Sequence, residues 1–341
     1  MEALKKKLNK NAIFKLNFNA EVGMGHLIRC LRIIKKIKKN YSIFLVVDNI
    51  GNNKKILELT KEYKVINIYN PKKKFINQKK DCDLFLEKTK KINKDILFID
   101  DYRLDIQWHK RIRRLTKKLI VIDDLSNRKM YCDYYINYKY QRDDYILNKA
   151  KKICNFDSKL LIGSKFVILD ENLKKIQRKT NPFNIMINFG NSFNFLKIKK
   201  LLSNLSSEKF KKKINLIVCV GIFAKNYNYI FGLQKKYKNI KLIYKKIFTD
   251  QLINKVSFFI GSSGNSIYET AYLKIPGIFF EISDNQINKK DDLADLGHFF
   301  SFSQKNLHNK NCINLVYLLI NNYERISRLN SYKKINLKKM E

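Results

Sequence analysis

The chain has 341 residues, of which 45% are hydrophobic and 13% aromatic, enough to fill two ordinary cores and to exclude global disorder. No apolar run reaches the ~18 residues of a membrane-crossing helix, so no span is expected. The formal charge of +40 is spread along the whole length without zinc-finger spacing, RNP-like strand or basic zipper, so no specific nucleic-acid partner is expected, whereas an anionic small molecule would be attracted.

The N-terminus, "MEALKKKLNKNAIFKLNFNA", has neither the apolar stretch nor the cleavage site of a secretion signal and reads as the start of a cytoplasmic protein. A first strand is expected at "FKLNF", a loop over "NAEVGMG" (19–25) and a helix over 26–39. Strands then fit "IFLVVD" (43–48), "VINIY" (65–69), "ILFID" (96–100) and "LIVID" (119–123), separated by amphipathic helices near 52–63, 82–93 and 105–117. The charged stretch "KKIQRKTNP" (174–182) reads as a connection. The pattern restarts with "NIMINFG" (184–190), "INLIVCV" (214–220), "IKLIY" (240–244), "SFFIG" (257–261) and "GIFFEI" (277–282), and closes with a helix over 306–329. This alternation predicts an α/β protein of two Rossmann-like, doubly wound domains, 1–170 and 183–341, joined by a linker at 171–182 and facing across a cleft. The six scattered cysteines form no CxxC pair and read as buried thiols, neither a disulfide framework nor a zinc site.

Three stretches carry chemistry. In "NAEVGMGH", Gly23 and Gly25 permit positive φ and close approach of a ligand, and His26 opens a helix whose unpaired amides and dipole favour anions. An imidazole there is disfavoured from taking an extra proton and suits a general base; the alternative is a plain turn and helix cap. In "FIDDYRLDIQW" (98–108), Asp100 and Asp101 end a strand and Tyr102 follows. A carboxylate there can orient an imidazole or a water, and the tyrosine hydroxyl can reach a sugar; the alternative is helix capping. "IDDLSNR" (122–128) repeats that geometry. In "FIGSSGNSIYETAYLKIPGIFFEISDNQ" (259–286), a strand ends in Gly261, and Ser262, Ser263, Gly264, Asn265 and Ser266 lead into a helix bearing Glu269. Small residues there admit a diphosphate to the helix N-terminus, Glu269 suits a ribose diol, and Asn285 and Gln286 end the next strand.

With these stretches in place, the sequence resembles the UDP-2,4-diacetamido-2,4,6-trideoxy-β-L-altropyranose hydrolases (PseG) of the pseudaminic acid pathway, relatives of the MurG-like GT-B glycosyltransferases. The similarity lies in "GMGHLIRCL" (23–31), "IDDYRLD" (99–105), "IDDLSNR" with "CDYYIN" (122–137), "LIGSKFVIL" (161–169), "INFGNS" (187–192), and "GSSGNSIYE" with "IPGIFF" and "NQ" (261–286). The resemblance implies hydrolysis of a UDP-activated deoxy-diacetamido sugar at its anomeric carbon with inversion, without metal or cofactor. It implies catalytic roles for His26, Tyr102 and Asp100, and substrate contacts from Gly23, Gly25, Arg29, Phe166, Ile168, Gly190, Ser192, the 261–266 loop, Glu269, Asn285 and Gln286. The ligand is then the nucleotide sugar, and a monomer is expected. A glycosyltransferase on the same scaffold, or an inactive sugar-nucleotide-binding relative, are the competing readings. This sequence differs from the family pattern at Lys15 (usually Arg), Asn17 (usually Asp), Asp101 (usually His), and at Asn191 and Phe193, which stand in a usually glycine-rich loop.

Overall fold

The computed structural model describes residues 10–326 apart from 20, 71–74, 76, 142–143, 175–181, 208–212, 245–249, 284–285, 287–289, 298–299 and 309. The chain divides into two compact units, Met1–Lys139 with Asp143–Ile168, and Tyr140–Arg142 with Leu169–Glu341.

The first unit is built on seven parallel strands, β1 (Asn11–Leu16), β2 (Ser42–Val47), β3 (Lys64–Asn67), β4 (Ile96–Asp100), β5 (Lys118–Ile122), β6 (Tyr134–Asn137) and β7 (Lys159–Ile162), in the order β3-β2-β1-β4-β5-β6-β7. Helices α1 (Gly25–Ile37), α2 (Lys54–Thr60), α3 (Gln78–Lys88), α4 (Ile106–Arg113) and α5 (Tyr145–Ile153) connect them. β1 registers Leu16 opposite Asp100 of β4, and between these two strands the winding direction reverses. Ligands of open parallel sheets bind at the carboxyl ends of the strands at such a reversal. A core of Ile13, Val46, Phe85, Leu97, Ile99, Trp108 and their neighbours covers one face of the sheet.

The second unit repeats the plan with β8 (Phe183–Asn188), β9 (Ile214–Val220), β10 (Ile240–Tyr244), β11 (Phe258–Ser262), β12 (Gly277–Glu281) and β13 (Phe300–Ser303), all parallel, in the order β10-β9-β8-β11-β12-β13. Its helices are α6 (Lys199–Leu205), α7 (Tyr229–Lys236), α8 (Asp250–Ile253), α9 (Ser266–Leu273), α10 (Lys290–Leu296) and α11 (Lys310–Asn321). Its reversal falls between β8 and β11. No helix among the described residues is long and apolar enough to cross a membrane.

The first strand starts three residues earlier than "FKLNF", because Ala12 and Ile13 are wholly buried and belong to the core. The strands β6, β7 and β13, four residues each, were not among the expected strands. The closing helix starts later than 306: residues 304–308 form a 3₁₀ turn, α11 runs Lys310–Asn321, helix resumes over 323–326 after a turn at 322, and 327–329 lie outside the described residues.

Candidate active site

In the first unit, the loop into α1 folds on its own side chain. Asn19 Oδ1 accepts the amides of Glu21 and Val22, both at 2.8 Å, and the Asn19 carbonyl accepts that of Gly23. Gly23 has φ +87°, the left-handed conformation a Cβ would strain. The amides of 21–23 are therefore spent inside the loop. Those of Gly25, His26 and Leu27 stand at the uncapped helix start, the first intrahelical bond running from Ile28 to the Met24 carbonyl.

His26, Arg29 and Cys30 lie at i, i+3 and i+4, one face of α1, and all three meet the carboxylate of Asp100 at the end of β4. His26 Nδ1 bonds Asp100 Oδ1, while Arg29 grips both oxygens, Nη2 on Oδ1 and Nε on Oδ2. Burial alone would push the Asp100 carboxyl up; the Arg29 guanidinium and the His26 imidazole outweigh it and hold the group well below the usual carboxylate range. A charged carboxylate only accepts, so the proton between it and the ring belongs to Nδ1. Nε2 makes no hydrogen bond to a described residue and is not among the polar atoms sealed from solvent without a partner. It is the lone pair a base needs.

The ring is more enclosed than a crevice-lining imidazole would be: the His26 side chain is 7% exposed. Its neighbours are polar or aromatic, with Tyr102 edge-on at 4.5 Å between ring centres.

Two residues given roles from the sequence, Tyr102 and Arg29, make the following contacts in the structure. The Tyr102 hydroxyl donates to Asp124, so this tyrosine presents its ring to His26 and commits its hydroxyl inward. Arg29 is 3% exposed, and its remaining nitrogen Nη1 donates to the Tyr138 hydroxyl at 3.0 Å and lies 3.5 Å from Asp124 Oδ2. It clamps the Asp100 carboxylate. Tyr138 and Asp124, which follow β6 and β5, had no assigned role in the sequence reading; a polar pair directly after each short strand was the available signal. Ile168 is buried and its carbonyl accepts from Arg32 at 3.2 Å, while Phe166 is half-buried in a 3₁₀ turn.

Lys15 and Asp101 belong to a second network. The Lys15 ammonium is wholly buried, 3.1 Å from Asp101, 3.4 Å from Asp81 and 3.5 Å from Asp48, and Arg103 bridges Asp48 and Asp101. Burial opposes the charge on Lys15, but the three carboxylates win and raise its pKa. Burial is also the largest influence on Asp81 and raises it, while Lys15 and Arg103 overcome burial at Asp101 and keep it ionised. Lys15 and Asp101 thus form an ion pair with each other.

In the second unit, Gly190 has φ +84° and its amide is taken by Asn188 Oδ1 at 2.9 Å. Asn191, by contrast, is not among the positive-φ residues, and its Cα is the surface on which Gly221 packs. Phe193 is turned into the core and stacks on Phe189. The hydroxyl oxygens of Ser192 and Ser263 are sealed from bulk solvent with no hydrogen-bond partner among the described residues. They follow β8 and β11, the two strands of the reversal. Gly261 lies inside β11 rather than in a ligand loop: a Cβ there would stand 1.9 Å from the Asn188 carbonyl oxygen, so its smallness serves strand packing. Ser262 ends β11, and Ser263 gives its amide to the Phe280 carbonyl at 3.0 Å. Gly264, Asn265 and Ser266 form the uncapped entry to α9, and Glu269 is buried on its first turn. Gln286 folds back, its side-chain oxygen accepting the Ile282 amide at 3.3 Å. Asn285 lies outside the described residues.

Two parallel-sheet α/β domains of the same strand order, each with polar side chains gathered at its reversal, define the GT-B class of fold. The solved structures it resembles include MurG of Acinetobacter baumannii (TM-score 0.58, 12% identity, 96% of each chain covered). They also include a UDP-glucosyltransferase of Polygonum tinctorium (TM-score 0.62, 8% identity, 96% of this chain and 94% of that one) and MnaA of S. aureus solved with UDP (TM-score 0.61, 11% identity, 96% and 92%). Among curated proteins, an uncharacterized protein of Methanocaldococcus jannaschii is 28% identical over 290 residues, 80% of this chain and 56% of that one. The chain therefore spans about half the length of that relative. No family profile matches it.

Proposed function

We propose that the protein hydrolyses a UDP-activated 2,4-diacetamido-2,4,6-trideoxy sugar, releasing UDP and the free sugar with inversion. The observation that carries this reading is the His26–Asp100 pair, with Nδ1 tied to an ionised carboxylate and Nε2 unpartnered. Nε2 takes a proton from water as the water oxygen bonds to the anomeric carbon, and the bond from that carbon to the UDP oxygen breaks. Asp100 offsets the charge gained by the ring. A diphosphate leaves readily, so the carboxylate pair of ordinary glycosidases is not needed. Attack on the face opposite UDP gives inversion.

The nucleotide is assigned to the second unit and the base to the first. Two sealed serine hydroxyls without a partner among the described residues, Ser192 after β8 and Ser263 just before the uncapped α9, support a diphosphate in this unit, since such a hydroxyl costs free energy that a phosphate oxygen would recover. The UDP carried by the MnaA structure and the UDP-sugar chemistry in the P. tinctorium enzyme's name agree with this nucleotide. No metal or cofactor enters the scheme.

The second reading is a glycosyltransferase, favoured by the resemblance to the MurG and glucosyltransferase structures; a hydroxyl acceptor then replaces water. Incubation with UDP-diacetamido sugars in ¹⁸O-water separates the two. Hydrolysis places the label on the anomeric hydroxyl of an inverted sugar, seen by NMR and mass spectrometry. Label in the phosphate of the nucleotide, or turnover only with an added acceptor, overturns the hydrolase reading.

A further inference from the structure

We propose that Arg29 is a positioning residue that fixes the tautomer of His26, keeping the ring proton on Nδ1 and Nε2 bare. The inference rests on the reading of His26 as the base, but it concerns a property of the free protein. A free histidine side chain favours the opposite tautomer, with the proton on Nε2, which would point a donor rather than a lone pair toward solvent. Something must hold the ring the other way round.

Asp100 alone is an incomplete answer, because a carboxylate on a single aspartate is free to turn about its last bond. Here that rotation is blocked. Arg29 occupies both oxygens in a fork, Nε on Oδ2 and Nη2 on Oδ1, and the plane it imposes aims Oδ1 at His26 Nδ1. The fork is itself anchored, Nη1 donating to the Tyr138 hydroxyl at 3.0 Å and lying 3.5 Å from Asp124. Arg29 Nη2 also stands 3.2 Å from His26 Nδ1. A guanidinium carries only donors, so that contact cannot be a hydrogen bond while Nδ1 holds the proton that Asp100 accepts. Nη2 directs its hydrogen to Oδ1 instead. The Tyr102 and Tyr138 rings each pack against the guanidinium, each ring centre 5.9 Å from its carbon. The four partners come from the end of β4, from the residues after β5 and β6, and from the same turn of α1.

The test is a long-range ¹H–¹⁵N correlation on the full chain with ¹⁵N-labelled histidine, at a pH where His26 is neutral, the His26 signals being assigned with His26→Gln. The wild-type spectrum should show Nδ1 as the protonated and Nε2 as the unprotonated nitrogen. A protonated Nε2 in the wild type overturns the proposal whatever the variants do. Arg29→Lys keeps the charge but loses the fork, and Tyr138→Phe removes only the anchor. Each should bring in signal from the other tautomer, more strongly for Arg29→Lys, and a His26 pattern unchanged in both overturns the proposal. The wholly buried His109, whose Nδ1 faces the Tyr131 amide at 3.4 Å, reports in the same spectra that the unit is folded. If the hydrolase reading also holds, kcat of Arg29→Lys falls on the order of 10²-fold with KM little changed. A wild-type protein without turnover but with the expected spectrum would reject the reaction and leave the role of Arg29 standing.

Discussion

At His26 the chemistry depends on one nitrogen. His26→Ala is expected to lower kcat by about 10²–10⁴-fold while leaving UDP affinity unchanged, because a general base acts on water and not on the nucleotide; steady-state kinetics and calorimetric UDP binding check the two halves separately. Glu269→Ala is expected to do the reverse, weakening UDP binding more than it slows the step. Lys15 has a different kind of importance. Its ammonium is wholly buried among three carboxylates, so Lys15→Met leaves Asp101 and Asp48 with Arg103 and takes the cation away from Asp81. Removing one partner of a buried ion pair costs about 3–5 kcal/mol, which urea unfolding would register.

Among the elements, the two reversals of strand order do the organising. β1 leads into α1 and β4 ends at Asp100, so the register pair Leu16–Asp100 brings helix and carboxylate together. In the second unit β8 and β11 play the same part, and they can lie side by side only because Gly261 has no side chain. Gly261→Ala is expected to cost about 3 kcal/mol or more by forcing a methyl into the Asn188 carbonyl, measured by chemical denaturation. The long strands and the amphipathic helices were legible from periodicity, since each repeats its pattern over several residues. Gly261 was legible as a small residue but not as a packing residue, because its partner is a backbone carbonyl on a strand 73 positions away by sequence number, Asn188 to Gly261.

For the whole molecule, acid stability follows from the buried titratable groups. Burial, followed by the nearby Arg128 guanidinium, pulls His109 down to about 3. The unfolded chain takes up that proton near pH 6.5, so stability is lost as pH falls from about 6.5 toward 3, at up to about 1.4 kcal/mol per pH unit. Asp100 and Asp101 have folded pKa values held below the ordinary carboxylate range, so their contribution is present above about pH 4 and goes as pH falls further. Urea midpoints taken from pH 7 to pH 4 should therefore decline, and His109→Phe should flatten the upper part of that decline. A midpoint that holds constant over this range contradicts the assignment. The net charge of +40 adds self-repulsion that salt relieves, so Tm should rise between 0.01 and 0.15 M ionic strength, as the Debye length shrinks from about 30 to 8 Å.

The sequence by itself determined the alternation of strands and helices, a glycine free to take positive φ before α1, a histidine at a helix start and an aspartate at a strand end. These are local properties, written in periodicity and in backbone requirements that span a few residues. Only the tertiary structure decided that Arg29 grips Asp100, that Tyr102 spends its hydroxyl on Asp124, and that Lys15 answers Asp101. Those partners are 71, 22 and 86 residues apart, and neither pattern nor spacing encodes which strand ends become neighbours. The order β1-β4-β5-β6 brings them together, and burial then removes water as the competing partner for each charge.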